Sequence, residues 1–334
     1  MSRVFGWSTG KGGVHWYRIR EPLRGLKLRG HTTRADHVLF SAKSLNDWDV
    51  LLAHGVADPK NSEGWRKLAE IGRHQMIYDI DDDHWNWHPN TEQFRWWNAD
   101  RLMRVEENII MADLVTTPSR RFAEYLSQLN RNVIVRPNTI PEWLTHIVLP
   151  KSKRSFVVGW EGSPHHIDDL KLVYGPLFRF MLRHPDVQFW MWGVWADPHA
   201  DYMPGMQGRV RRFPWQKSVA DYYRSLDMDV CLAPLEPTAF NETKSAIRVQ
   251  EHSALGIPVI ASRGPAYQDY LIDGENGYFA EDESDWENVL EYLYRDNDGR
   301  DRLGRTGRRM ARDWTTETNG QFWEGLLSKG AVHV

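Results

Sequence analysis

Short apolar runs alternate with amphipathic stretches along most of the chain. In the first part, apolar runs predict strands and the stretches between several of them predict helices. This alternation predicts a parallel sheet covered on both faces, with ligands at the carboxyl ends of its strands. The strands are predicted at 4–7, 36–40, 49–54, 75–80, 114–117 and 133–137, and the helices at 14–20 (before Pro22), 63–71, 99–112 and 120–129.

A second series of the same kind follows the segment 138–153, which contains two prolines and ends in a basic run at 151–154. We interpret this segment as a linker between two similar-sized Rossmann-like domains, 1–150 and 151–310. We expect a C-terminal helix, 311–334, to pack back on the first domain. The second series predicts strands at 156–160, 187–193, 209–213, 229–234, 258–262 and 277–280, and helices at 168–183, 218–226, 266–272 and in three segments that reach 327.

The stretch 240–263 combines charge with helical periodicity. It predicts a helix with Lys244, Arg248 and Glu251 on one face, because their spacings are four and three residues. Gly256 and Pro258 end this helix. Two cations and a carboxylate suit a ligand with phosphates and vicinal hydroxyls. The alternative is a solvated face with an internal ion pair.

The composition narrows the class of protein. The chain has 334 residues, a net charge of −3 and a single cysteine. This charge gives no general attraction to nucleic acid or anionic membranes, and one cysteine excludes an intrachain disulfide. We expect a cytoplasmic protein without a signal peptide or transmembrane segment. The 17 tryptophans are core or surface anchors by default, and they can also serve as platforms for sugars or bases.

Two local motifs are candidates for ligand contact. The Gly-rich turn 8–13 follows the first strand and precedes a helix, a layout that presents backbone N–H groups to a phosphate. Its spacing fits neither a P-loop nor a dinucleotide fingerprint, so a flexible turn is the alternative. The acidic run 79–83 contains four aspartates. They could bind a divalent metal, bind a substrate, or cap the loop and a neighbouring helix.

Several motifs, in the expected order over nearly the whole chain, resemble the retaining family-4 glycosyltransferases of bacterial and phage genomes. This resemblance implies the two-domain α/β fold called GT-B, with two Rossmann-like domains facing each other across a cleft. It also implies a nucleotide-sugar donor held mainly by the second domain and an acceptor that enters from the first. The motifs are YRIREPL (17–23), YDIDDD (78–83), VTTPS (115–119), RPNTIP (136–141), VGWEGS (158–163), EHSALGIPVIAS (251–262) and GENGYF (274–279).

The resemblance also assigns roles residue by residue. Glu251 takes the place of the second glutamate of the family signature and would bind the ribose hydroxyls. Thr243 stands where the family has the first glutamate. The usual cations after the first strand of the second domain are missing, so Lys244 and Arg248 are the replacements. The residues expected to contact the nucleotide sugar are Gly12, Gly13, Gly162, Ser163, Asn241, Glu242, Thr243, Lys244, Ser245, Arg248 and Glu251.

The resemblance implies transfer of a sugar, with retention, to an acceptor hydroxyl. Asp81 and Asp82, with His84 beside them, are expected to bind the acceptor or act as base-like groups, and Lys244 and Arg248 to stabilise the leaving diphosphate. A UDP-sugar is the default donor, a GDP-sugar is the alternative, and no metal is required. The acceptor is a glycan, a lipid, a protein or a hydroxymethylated base in DNA. A non-catalytic nucleotide-binding protein of the same fold is the alternative from another class.

Overall fold

The computed structural model describes residues 1–10, 12–37, 45–89, 91–149, 155–163, 166–193, 206, 208–214, 216 and 218–327. The chain divides into two units. The first contains Met1–Pro141, Glu242–Ser245 and Trp314–Val334, and the second contains Glu142–Asn241 and Ala246–Asp313. The basic run 151–154, residues 38–40 of the predicted strand 36–40 and Lys11 of the Gly-rich turn lie outside the described residues.

The first unit has a parallel six-stranded sheet with the order β2-β1-β3-β4-β5-β6. Alternate residues of its strands point to opposite faces. Val4, Val50 and Leu52 lie in the core on one face, and Phe5 and Leu51 lie in the core on the other. The strands are β1 (Arg3–Ser8), β2 (Thr32–Asp36), β3 (Val50–His54), β4 (Gln75–Asp79), β5 (Leu114–Thr117) and β6 (Val133–Val135).

The helix after β1 is longer than the sequence pattern predicted. It runs as Gly13–His15, a π-helical turn Trp16–Arg20, and Glu21–Leu28. The expectation that it stops before Pro22 was wrong, because Pro22 lies at the start of the Glu21–Leu28 segment, where its missing N–H is tolerated. The other helices of this unit are Pro59–Ile71, Glu92–Trp96, Ala99–Ile110, Arg120–Leu126 and Thr316–Glu324.

The second unit repeats the architecture with the sheet order β12-β11-β10-β7-β8-β9, again parallel throughout. Its largest core contains Val158, Phe189 and Leu232 from three strands. The strands are β7 (Val157–Glu161), β8 (Gln188–Trp192), β9 (Val210–Phe213), β10 (Val230–Ala233), β11 (Val259–Ser262) and β12 (Gly277–Ala280). The helices are Ile167–Lys171, Tyr174–Arg183, Val219–Ser225, Ala239–Glu242, Ile247–Leu255, Glu283–Arg295 and Asn297–Ala311, with a 3-10 helix at Glu142–His146.

Three predicted helices of the second series differ from the structure. The helix predicted at 168–183 is two helices, and residues 265–270 form turns instead of the helix predicted at 266–272. The helix of the charged stretch begins at Ile247 and ends at Leu255. Lys244 therefore precedes this helix and does not share its face with Arg248 and Glu251. Gly256 caps it in the left-handed conformation with φ 72°, as predicted.

The C-terminal helix Thr316–Glu324 packs on the helix Glu21–Leu28 inside the first unit. A β-carbon on Gly25 would lie 3.3 Å from Cα of Gly320, so the two backbones approach closely at these glycines. Trp323 and Leu326 complete the core under this pair of helices. In the described ranges, no helix is both long and apolar enough to cross a membrane.

Candidate functional site

The first unit buries an arginine–aspartate pair at the carboxyl end of its sheet. Arg18 comes from the π-helical turn and Asp79 is the last residue of β4. Nε and Nη2 of Arg18 donate to the two carboxylate oxygens of Asp79 at 2.9 and 2.6 Å. Thr116 Oγ1 donates to the same carboxylate at 2.6 Å. Burial alone would raise the pKa of Asp79, but the Arg18 charge and a hydrogen bond with His54 lower it to about 2.

His54 extends this pair towards the acidic run. It ends β3, next to Asp79 in the sheet register, and its Nδ1 lies 2.9 Å from Oδ1 of Asp79. Its Nε2 lies 3.4 Å from Oδ1 of Asp81. Burial would lower the pKa of His54, but the charges of Asp81 and Asp79 outweigh burial and raise it. Burial and the neighbouring Asp82 charge raise the pKa of Asp81 to about 6.

Asp82 pairs with Lys244. The Lys244 ammonium donates to Oδ1 of Asp82 at 2.7 Å, and the two side chains are 16% and 23% exposed. The segment that carries Lys244, Glu242–Ser245, belongs to the first unit. The structure therefore brings the predicted donor-site residue Lys244 to the predicted acceptor-site residue Asp82.

His84 is held between aromatic rings. Its imidazole stacks on Trp97 at 3.6 Å between centroids and lies 6.3 Å from the ring of Trp87. Burial lowers the pKa of His84 to about 3, so the ring is neutral at physiological pH. His84 therefore carries no positive charge that could interact with the Asp82 carboxylate.

The remaining predicted residues of the first unit differ in exposure. Gly12 has φ +120° and begins the helix at Gly13, and β-carbons on both glycines would meet open space. Ser245 accepts a hydrogen bond from Asn138 Nδ2 at 3.0 Å. Thr243 is buried, whereas Glu242 is partly exposed and its carboxylate lies 3.5 Å from Nε of Arg121.

The second unit buries a carboxyl pair at the carboxyl end of β7. Glu161 is the last residue of this strand, and Glu251 comes from the helix Ile247–Leu255. Tyr223 Oη donates to Oε1 of Glu251. Burial raises the pKa values of both glutamates, and the Glu161 charge raises that of Glu251 further. The pair is therefore able to hold a proton near neutral pH.

Arg248 lies close to Glu161 and Trp160 at the end of β7. Its Nε is 3.8 Å from Oε1 of Glu161, and its guanidinium carbon is 6.0 Å from the ring of Trp160. His252, one helical turn on, is fully buried, and burial lowers its pKa to about 4. Arg248 is therefore the permanent cation of this cluster. Burial also raises the pKa of Cys231 on the adjacent β10, so its thiol is protonated and not a nucleophile.

Gly162 and Ser163 follow β7, and Asn241 lies in the short helix Ala239–Glu242. Asn241 Nδ2 donates to Oδ1 of Asp169 at 2.6 Å and to the carbonyl of Glu236. The N–H of Gly162 donates to the carbonyl of Trp192, and a β-carbon on Gly162 would come within 2.6 Å of the Trp160 ring. The carbonyl of Ser163 accepts from the N–H of His166. The backbone of Gly162 and Ser163 and the side chain of Asn241 are therefore each hydrogen-bonded within the second unit.

Sequence reasoning did not single out Arg18, His54 or Glu161. A usable signal was present, because His54, Asp79 and Glu161 all end apolar parallel strands, where open α/β sheets place ligand-binding residues. No group of three or more His, Cys, Asp or Glu side chains in the described part of the chain is arranged to hold a metal ion.

One protein family and several solved structures are similar to this chain. Residues 175–325 match the family model described as glycosyl transferase-like, and that match contains Arg248 and Glu251. Anabaena HepE, solved in complex with UDP, has a TM-score of 0.69 and 14% identity, and the alignment covers 98% of this chain and 99% of that one. The fold is GT-B.

Two further solved structures have a similar fold. Sucrose-phosphate synthase from Thermosynechococcus elongatus has a TM-score of 0.67 with 15% identity over 97% of this chain and 99% of that chain. A glycosyltransferase from Rickettsia africae has a TM-score of 0.69 with 10% identity over 98% and 100%. No curated protein sequence matches the chain. The predicted GT-B fold is confirmed, and the family match agrees with the predicted class, a glycosyltransferase.

Proposed function

We propose that the protein transfers a sugar from a UDP-sugar to an acceptor hydroxyl with retention of anomeric configuration. The proposal rests on the buried cluster of Arg248, Glu251 and Glu161 at the carboxyl end of β7. Arg248 and Glu251 lie in the region that matches the glycosyl transferase-like family model, and Glu161 precedes that region. The carboxyl ends of parallel strands are the ligand side of an open α/β sheet. HepE, which has the same fold, has been solved with UDP and with UDP-glucose.

In this proposal the second unit binds the nucleotide. Glu251 accepts hydrogen bonds from the two ribose hydroxyls, because its two oxygens match two neighbouring donors. Arg248 supplies a fixed positive charge for the diphosphate as the sugar leaves, and Lys244 supplies another. Gly162 and Ser163 after β7 and Asn241 of the helix Ala239–Glu242 also contact the donor. No step of this mechanism requires a metal ion.

The first unit binds the acceptor in the same proposal. Asp81 and Asp82 contact the reacting hydroxyl, and the Gly12–Gly13 turn allows a close backbone approach to the donor sugar or phosphates. The acceptor is a glycan, a lipid, a protein or a modified base of DNA. Turnover assays with a panel of donors and a panel of acceptors distinguish these acceptor classes.

The first experiment measures UDP or GDP release from a panel of UDP-sugars and GDP-sugars, with each acceptor class in turn. We expect release from at least one UDP-sugar and an anomeric NMR signal of the product that matches the donor configuration. Release only from GDP-sugars would show that the donor is a GDP-sugar. A product with the opposite anomeric configuration would show that the reaction inverts. Binding of UDP without turnover on any donor and acceptor would favour the non-catalytic alternative.

The second experiment tests the nucleotide site by calorimetry with UDP. Glu251→Gln keeps the size of the side chain and replaces one carboxyl oxygen by an amide nitrogen, which cannot accept a hydrogen bond, so we expect about a 10- to 100-fold weaker Kd. Glu275→Gln is the matched control, since Glu275 is exposed in the same unit. Equal affinities of the two variants would place the ribose elsewhere.

A further inference from the structure

The first unit contains a line of four charged side chains of alternating sign, of which only Asp81 has a predicted role. It begins at the Arg18 guanidinium, continues through the Asp79 carboxylate and the His54 imidazole, and ends at Asp81. Arg18 and Asp79 are 1% and 0% exposed, His54 is 6% exposed, and Asp81 is 18% exposed. Only the Asp81 end of the line therefore has substantial contact with solvent.

Each member of the line fixes the next. The carboxylate of Asp79 is held at both oxygens by Arg18 and at one by Thr116, so it cannot rotate away from His54. Arg18 is itself fixed, because its Nη1 donates to the carbonyl of Arg136 and to Oδ1 of Asn138. With Nδ1 bound to Asp79, the imidazole has one orientation, and that orientation points Nε2 at Asp81.

We propose that His54 is a positioning residue of the acceptor site, which holds the Asp81 carboxylate in place to take the proton of the acceptor hydroxyl. This inference rests on the proposed function and adds a proton acceptor to it. In the step, the acceptor oxygen attacks the anomeric carbon on the face from which the diphosphate leaves, which retains the configuration, and the acceptor O–H bond breaks as the new carbon–oxygen bond forms. The proton moves to Asp81, and the electron pair of the broken bond between the anomeric carbon and the phosphate oxygen leaves with UDP.

The charge pattern suits this role. The imidazolium is bound to Asp79 through Nδ1, and its Nε2 lies 3.4 Å from Oδ1 of Asp81. Its positive charge therefore stabilises Asp81 in the ionised, proton-accepting form. The neighbouring Asp82 has the opposite effect on Asp81, and Asp82 is in turn paired with Lys244. The charged and titratable groups facing His54 and Asp81 are Arg18 and His15 from the first helix, Asp79, Asp82 and His84 from the end of β4, and Lys244.

The test is the pH profile of kcat/KM for the acceptor in His54→Gln, which keeps a hydrogen-bond donor but carries no charge. We expect kcat/KM of the wild type to rise as Asp81 of the free protein loses its proton, with a midpoint near pH 6. The His54 charge lowers the pKa of Asp81, so its removal raises that pKa and moves the acidic limb of the profile to higher pH. We expect kcat/KM for the acceptor at pH 6 to fall by about 10²-fold, the lower end of acid–base effects, while KM for the donor is unchanged.

His74→Gln is the matched control, because His74 is also buried in the first unit and its Nδ1 contacts the carbonyl of Trp48 at 2.8 Å. A wild-type profile for His54→Gln with unchanged kcat/KM for the acceptor would overturn the inference. The inference would also be overturned if His54→Gln lost as much stability as His74→Gln while its acidic limb did not shift.

A readout without turnover separates this inference from the proposed function. Carboxyl ¹³C shifts of Asp81, assigned with Asp81→Asn, give its pKa directly in wild type and in His54→Gln. A higher Asp81 pKa in His54→Gln supports the contact on which the inference rests, even for a protein that releases no UDP. An unchanged Asp81 pKa overturns the inference while an active enzyme leaves the proposed function standing.

Discussion

At the scale of single residues, the Lys244–Asp82 pair combines a predicted donor-site cation with a predicted acceptor-site acid. Both side chains are mostly buried, and their 2.7 Å contact holds the ammonium in one position. A fixed ammonium is able to stabilise charge as it develops on a leaving diphosphate without reorganising first. The competing explanation of this contact is an ion pair that stabilises the fold and has no role in catalysis.

Lys244→Ala separates these explanations. We expect kcat to fall by about 10²-fold, since removal of one preorganised donor has this order of effect. The free energy of unfolding should fall by about 1–3 kcal/mol, because the change leaves the mostly buried Asp82 carboxylate without its partner. Turnover assays and urea unfolding measure the two quantities.

Lys67→Ala is the control for Lys244→Ala, because Lys67 also pairs with an acid, Glu63, in the first unit but is highly exposed. It should leave both quantities unchanged. A Lys244→Ala protein that unfolds easily but turns over normally once folded would show that the pair is structural.

At the scale of elements, most of the strands could be predicted because each is a short apolar run between polar turns. The strand predicted at 114–117 has the observed bounds, and β4 and β10 are within one or two residues of prediction. Helix starts were harder to predict, because the local pattern does not contain the tertiary contacts. Lys244 fits the periodicity of the following helix, yet the helix starts at Ile247 with Ala246 as its cap.

The same limit applies to the candidate site. Arg248 and Glu251 could be found because a recognisable motif carries them. Arg18 could not, because its partner Asp79 is 61 residues away in the sequence and a π-helical turn directs the side chain inward. Such long-range pairs depend on strand order and register, which the apolar pattern does not specify.

The helix Ile247–Leu255 is held in place by close packing against the helix Asn297–Ala311. A β-carbon on Gly304 would lie 2.2 Å from the carbonyl oxygen of Gly256, so one backbone must move to accept it. Gly304→Ala should lose about 1–2 kcal/mol of stability, since overpacking outweighs the gain in helix propensity. Calorimetric unfolding should show a lower Tm for the second unit, and UDP affinity should fall because Arg248 and Glu251 lie on the displaced helix.

Gly264→Ala is the control for this packing, because a β-carbon there meets nothing within 4 Å in the same unit. Its Tm and its UDP affinity should equal those of the wild type. A Gly304→Ala protein that matches it in both measurements would contradict the packing argument.

At the scale of the whole molecule, the net charge of −3 bears on the class of acceptor. The basic segment 209–213 has the composition of a nucleic-acid contact, but its strand β9 lies at the edge of the second sheet. Arg209 there is engaged in binding the carbonyls of Met181 and His184, while Arg211 and Arg212 are exposed. Two exposed arginines on an edge strand are typical of a solvated edge that avoids further strand pairing.

The salt dependence of turnover decides between a nucleic acid and the other acceptors. A DNA acceptor held through 6–10 phosphate contacts would lose roughly 10³–10⁵ in affinity between 50 and 200 mM salt, because binding releases condensed counterions. With a negative net charge and few exposed arginines on β9, we expect kcat/KM for the acceptor to change by less than about threefold over that range. The measurement uses the best acceptor of the panel and, as a reference, the KM of the UDP-sugar in the same salt series. A steep decrease for the acceptor alone would instead identify a polyanion and favour DNA modification as the activity of this fold.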